Sequence, residues 1–387
     1  MFLSLLFLSV DVSAQYFMDD TTEVSILIGG PSEEEVFTVY GHAAIRVQNP
    51  NQKMDYLFNY GIFDFSKPNF VYRFAKGETD YRLGIIRYED YVAECRARGC
   101  SLTELVLDLT HKEKNKIFQA LIENSKPENR VYRYNFFFDN CATRPVDILR
   151  EQLDGSLLLL PQTTDTCTFR EIINHATRHK PWLTLGCDLA LGSPTDRRTT
   201  AEEQLFLPAY MQTALEGARV KDYAGKERPL VKKTTVLVEE NLPAVEDASL
   251  SPTGVAWVLF LLSSILFIYA AVRGKTLNGF CCVVFALDGI AGCLLWYISL
   301  VSEHPCVFPN WNLLLFHPFH LLFAMVFAVK GCKRFATYYH FTNFVALSLL
   351  FFAWALDLQH RNDAFLPLAG ILLAQSLYGV QTTKTKD

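Results

Sequence analysis

The sequence predicts an exported α+β domain followed by an all-α membrane domain of five helices. Apolar residues are distributed unevenly, and the last third of the chain carries runs of roughly 17 to 23 apolar residues, near the ~20 that cross a bilayer as a helix. These runs are 255–272, 279–301, 313–329, 341–356 and 364–380. A short apolar leader, FLSLLFLSV, opens the chain, and the stretch between leader and spans alternates strand and helix signals.

The leader is too short to span, Asp11 interrupts it, and VSA before Gln15 has the small residues of a signal-peptidase site. Residues 1–14 are therefore expected to be a signal peptide; no basic residue precedes the run, so an uncleaved anchor is the alternative. Residues 15–250 are expected in the periplasm, 255–380 in the membrane and 381–387 in the cytoplasm. Arg273 and Lys275, then Lys330, Lys333 and Arg334, then Lys384 and Lys386 fall at alternate ends of the spans, whereas the other connections carry only Arg361. The positive-inside rule places the basic ends in the cytoplasm. The chain then reads as an integral inner-membrane protein.

Within the exported stretch, EVSILIG, HAAIRVQ and MDYLFNYG read as strands, the last two joined as a hairpin by NPNQ. YRLGIIRY and TELVLDL read as further strands. Thr110 and Glu113 make a capping box that opens a helix over HKEKNKIFQALIENS, which KPEN ends. RVYRYNFFF is expected as a strand, CATRPVDILREQL as the helix after it, and GARVKDYAGKERPLVKKTTVLVEE as a hairpin. NLPAVEDASLSP is a polar linker to the first span.

Five cysteines, Cys95, Cys100, Cys141, Cys167 and Cys187, lie in the exported stretch. An odd number leaves at least one unpaired. Short-loop pairs Cys95–Cys100 and Cys167–Cys187 would leave Cys141 over; all five reduced is the alternative. Asp139 or Asn140 can cap the helix that follows, which puts Cys141 in its first turn, where free backbone N–H groups and the helix dipole favour a thiolate. A nucleophilic thiol needs a base. Of the exported histidines, His111 sits at a charged helix start and His175 and His179 flank Arg178, whereas His42 opens an apolar strand. A core thiol and a structural histidine remain the ordinary alternatives. No metal-ligand spacing, Gly-rich phosphate loop or GxSxG occurs, and a net charge of -5 without a basic cluster argues against nucleic acid.

YGHAAIRVQNP, DYLFNYGIFDFSKPNFVYRFAKGETDYRL, FFFDNCATRPVDIL and GSPTDRRTTAEEQLFLPAYM, followed by several spans, resemble the Lnb-type lipoprotein N-acyltransferases of Bacteroidetes. More distantly, a His-bearing strand ahead of an NC helix is similar to the circularly permuted branch of the papain-like NlpC/P60 superfamily, whose Cys and His are the catalytic pair. The resemblance implies an antiparallel sheet with packed helices, catalytic Cys141 and His42, and no cofactor. It implies transfer of an acyl chain from a membrane phospholipid, through a Cys141 thioester, to the α-amine of a diacylglyceryl-cysteine lipoprotein. Asn59 or Asp64 is expected to orient His42. Asn140, with Asp139, is a cap or an oxyanion donor, and Arg144 and Tyr40 are candidate lipid contacts. PTDRR at 194–198 matches the family pattern without a mechanistic account. Asp288 is a carboxyl near mid-bilayer and so a site candidate; His317 and His320 share a face of the third span, near its outer end, and are candidates to line a lipid route. With water as acceptor the same pair would make a phospholipase, and with a peptide substrate a wall hydrolase. A non-catalytic membrane-anchored binding protein is the third reading.

Overall fold

A computed structural model of the 387-residue chain describes residues 18–32, 35, 38–63, 68–159, 167–242, 250–275, 277–328 and 333–384. The expected signal peptide, Asp64, most of the linker before the first span and the last three residues lie outside the described residues. The chain divides into two compact units. The first is 1–67, 79–165 and 200–243; the second is 68–78, 166–199 and 244–387, so the helical unit also takes in two segments that precede residue 250.

The first unit is built on strands β1 (Glu23–Gly29), β2 (His42–Asn49), β3 (Met54–Phe63), β4 (Asp80–Arg87), β5 (Leu102–Leu107) and β6 (Val131–Arg133). A short three-stranded sheet follows, from β7 (Ser156–Leu158), β8 (Arg219–Lys221) and β9 (Glu227–Pro229), and β10 (Val231–Val238) closes the series. The large sheet runs β10-β5-β1-β2-β3-β4-β6, and each neighbouring pair is antiparallel. The β2–β3 hairpin turns through Pro50–Gln52, where the Asn49 side chain accepts from the Gln52 N–H.

Helices are α1 (Phe70–Lys76), α2 (Tyr88–Ala97), α3 (His111–Ser125), α4 (Thr143–Gln152), α5 (Phe169–Thr177), α6 (Pro181–Ala190) and α7 (Pro208–Glu216). In the first unit, Ile26, Ile45, Phe58 and Tyr60 on one face of the sheet pack with Ile117 and Leu121 of α3, Val146 and Leu149 of α4 and Met211 of α7. Leu27, Ala44 and Leu57 on the other face pack with Tyr91, Val92 and Cys95 of α2. Covering on both faces explains why β1 is apolar almost throughout instead of alternating. The Thr110–Glu113 capping box forms as expected, and Glu113, 1% exposed, is also held by Arg228 at 2.6 Å.

Two expectations are corrected. The strand over RVYRYNFFF ends at Arg133: Asn135 and Asp139 bond each other's backbone across a tight turn, so Phe136–Phe138 leave the sheet. No Cys167–Cys187 or Cys95–Cys100 bridge forms; Cys95, Cys100, Cys141 and Cys167 are thiols.

The second unit contains α8 (Pro252–Arg273), α9 (Asn278–Leu300), α10 (Phe319–Ala328), α11 (Lys333–Ala355) and α12 (Phe365–Lys384). Among the described residues, three helices are long and apolar enough to cross a membrane, 252–273, 278–300 and 334–355, and Phe365–Val380 is a shorter apolar helix. The third expected span is the exception. Its first part is a 3-10 turn, Trp311–Leu314, and irregular backbone, so α10 starts six residues later than the apolar run.

PTDRR acquires an account here. Arg170 on α5 is 1% exposed; its Nε donates to Asp196 Oδ1 at 2.6 Å, its Nη1 to Asp188 Oδ1 at 3.1 Å, and its Nη2 to the carbonyls of Leu191 and Gly192. Asp188, equally buried, takes a further bond from Asn362 Nδ2 at 2.8 Å, and its carbonyl accepts from Asn312. Asp196 of PTDRR therefore helps to clamp α5 and α6 to two loops of the helical unit. Arg170→Ala leaves Asp188 buried without its main counter-charge and is expected to cost about 3–5 kcal/mol, read as a lowered melting temperature of the detergent-solubilised protein.

Candidate active site

Cys141 lies at the mouth of α4, and Asn140 fixes it there. The Asn140 Oδ1 accepts from the N–H groups of Ala142 and Thr143 at 2.8 and 3.0 Å, while its Nδ2 donates to the carbonyls of Phe136 and Phe206, both at 2.8 Å. Asn140 is thus the cap. Both of its amide hydrogens are spent, which removes it as an oxyanion donor. Asp139 caps nothing: it grips Arg144 through two bonds of 2.6 and 2.8 Å, and the Arg144 guanidinium lies 3.5 Å over the Tyr132 ring. Arg144 is therefore committed to the protein, which counts against a lipid-phosphate role.

His42 opens β2 directly after Gly41, whose φ is +74° and whose missing Cβ would sit 2.7 Å from the Gly29 carbonyl oxygen. Only glycine combines that conformation with that approach. Cross-strand register does the rest. Ile45 pairs with Phe58, which sets Asn59 diagonal to His42 and on the same face, and the His42 Nε2 lies 2.7 Å from Asn59 Oδ1. An amide oxygen only accepts, so Nε2 carries the proton and Nδ1 is the nitrogen left for a thiol. His42 and Cys141 lie close enough for each to act on the other's charge, and the Ala43 N–H acts on the sulfur as well.

Gly61 lies against the imidazole: a Cβ there would fall 2.4 Å from His42 Cε1 and 3.3 Å from Asn59 Oδ1. Any larger residue must push the ring off one partner.

The electrostatics of the pair follow from this geometry. Burial pushes the Cys141 thiol up, but the charge and hydrogen bond of His42 and the backbone N–H groups outweigh it, holding the thiol below its ordinary range. Burial pushes His42 down, yet the Cys141 charge, its hydrogen bond, Asn59 and Glu94 leave it raised. The arrangement favours a thiolate–imidazolium pair.

Four tyrosines lie within electrostatic range of the sulfur. Tyr81, Tyr132, Tyr134 and Tyr91 all feel the Cys141 charge, Tyr81 stacks on Tyr134 at 4.1 Å, and burial raises Tyr81 to about 12. Tyr40 packs edge-on against Phe136 at 4.9 Å, which brings it beside the turn that precedes Cys141. Sequence reasoning did not single out Gly61, Tyr81, Tyr132 or Tyr134. The alternation in VYRY was the available signal for the last two; nothing in the sequence announces the close approach at Gly61. Asp288, His317 and His320 gather inside the helical unit and form a polar cluster of their own.

Residues 18–175 match the family model described as the Lnb N-terminal periplasmic domain, and residues 244–387 match the model described as the Lnb transmembrane domain. The chain belongs to the Lnb family. It is accordingly an inner-membrane protein with a periplasmic amino-terminal domain, an antiparallel sheet with packed helices, and a membrane-embedded helical region. Among curated proteins and solved structures, none matches the chain.

Alkylation of Cys141 by iodoacetamide, followed by peptide mass spectrometry, is expected to persist at pH values where an ordinary thiol, near 8.5 to 9, is protonated. In His42→Ala the counter-charge is gone and burial dominates, so the alkylation profile is expected to move to higher pH. Gly61→Ala is expected to move it in the same direction while the melting temperature of the protein stays near that of wild type; an unchanged profile would mean that the ring accommodates the methyl group.

Proposed function

We propose that the chain is a lipoprotein N-acyltransferase working through a Cys141 thioester. The observation that carries this reading is the Cys141–His42–Asn59 array, in which one buried thiol faces a raised imidazole whose far nitrogen is held at 2.7 Å. His42 holds the thiol proton as imidazolium, and the Cys141 sulfur attacks a phospholipid ester carbonyl. The Cys141 backbone N–H, at the mouth of α4, is the donor we assign to the developing oxyanion, since Asn140 is spent. Collapse expels a lysophospholipid alkoxide, which takes the proton from His42 and leaves an acyl thioester.

The neutral α-amine of a diacylglyceryl-cysteine lipoprotein then adds to the thioester carbonyl. His42 takes the amine proton, and the amide leaves with Cys141 again the thiolate. Membrane embedding suits substrates that are both lipidic, because confinement to one leaflet raises their effective concentration. We assign the carboxyl terminus to the cytoplasm from the basic residues at alternate span ends.

Expressed in a strain lacking its own N-acyltransferase, wild type is expected to restore amide-linked acyl chains on lipoprotein N-termini, read by mass spectrometry. Cys141→Ala and His42→Ala are expected to abolish them, and Asn59→Ala to slow transfer by about 10²-fold through a misplaced imidazole. Acylation by Cys141→Ala at the wild-type level would rule the thioester out. Free fatty acid in place of acylated lipoprotein would identify a phospholipase.

A further inference from the structure

The late start of α10 marks a second site in the membrane unit. α10 begins at Phe319, six residues into the expected span. It is packed onto the middle of α9: a Cβ on Gly289 would fall 2.2 Å from the Leu321 nitrogen, and one on Gly292 would fall 2.5 Å from the His317 nitrogen. Gly289 is central in α9, so α10 begins at mid-span, and the segment before it is not helical. Non-helical backbone at that depth persists only inside protein or beside a polar cavity, and the amino terminus of a half-helix at the midplane is where broken-helix membrane proteins hold ligands.

The side chains at this break are polar and deeply buried. His317 stacks on His320 with ring centroids 3.7 Å apart; the Tyr339 hydroxyl lies 2.6 Å from His320 Nδ1, and Asp288 Oδ2 lies 3.3 Å from His320 Nε2. Asn343 neighbours His317 and donates to Ser376 Oγ at 2.9 Å. Gln375 precedes Ser376 and sits one turn before Gly379, which lies against the His340 ring. Gln375 is 0% exposed, and among the described residues neither its Oε1 nor its Nε2 has a partner; His317 Nδ1 likewise has none. Lipid tails can satisfy none of these.

We propose that the break before α10, with Asn343 and Gln375, is an intramembrane binding site for a hydroxyl group. A hydroxyl matches the orphaned set because it both donates and accepts: its hydrogen can serve Gln375 Oε1, while its oxygen takes the Gln375 Nε2 hydrogen. Two sources supply that chemistry, internal water and the glycerol hydroxyl of a lipid. The site stands on side chains that the acyl-transfer proposal does not use.

Radiolytic hydroxyl-radical labelling of the full-length protein in lipid nanodiscs, read by peptide mass spectrometry, tests it, with native mass spectrometry after detergent extraction. Labelling of His317 and Tyr339 at least tenfold faster than Phe267, which is enclosed to the same degree, identifies bound water. Slow labelling, together with one retained hydroxyl-bearing lipid that Gln375→Leu releases and Gln375→Glu keeps, identifies the lipid. Slow labelling with no retained lipid means a dry cluster and overturns the proposal. The labelling is done on wild type, so a misfolded variant cannot hide that result, and loss of acyl transfer in a Cys141 variant leaves it untouched.

Discussion

A buried thiol and a half-buried imidazole, each unfavourable as a lone charge, become favourable as a pair. Desolvation drives Cys141 toward the neutral thiol and His42 toward the neutral ring; their mutual charge, helped by backbone N–H groups at the sulfur and by Asn59 and Glu94 at the ring, reverses both tendencies. The rest of the first unit serves that contact. Asn140 spends its whole hydrogen-bonding capacity on holding the turn and the start of α4, and Asn59 holds the imidazole from its far side. Gly41 and Gly61 are glycines because one backbone and one ring come too close for a Cβ.

The fold was legible wherever local chemistry decides it. The hairpin of β2 and β3, with its Pro-Asn turn, and the capped helix α3 could be placed from sequence because cap, turn and periodicity agree there. The stretch after Arg133 misled for a physical reason: aromatic residues that favour strands are here packed around a turn, where Phe136, Phe137 and Phe206 meet edge to face and wall one side of the α4 entrance. The site was partly legible. Cysteine count, helix start and an isolated strand histidine pointed to Cys141 and His42, and Asn59 followed from the presumed hairpin. Gly61 was not legible, since its role depends on a close approach of backbone and ring that no local pattern encodes.

The membrane unit shows the same limit. Hydropathy finds the apolar runs but does not distinguish a continuous helix from a turn followed by a helix, so His317 and His320, expected near the outer end of a span, lie instead level with the middle of α9. The polar residues gathered there from α9, α10, α11 and α12 are far apart in sequence and become one cluster only when the helices pack. Arg170, Asp188 and Asp196 act similarly, making a family-pattern motif into an electrostatic clamp.

The central claim is that the Cys141 sulfur carries an acyl group. Incubating the purified protein with phospholipid vesicles and no lipoprotein, then measuring intact mass, tests this directly. The account predicts a gain of one acyl group on Cys141, released by neutral hydroxylamine and absent from His42→Ala. Lipoprotein acylation by a protein that never gains this adduct, under conditions that stabilise thioesters, would contradict it.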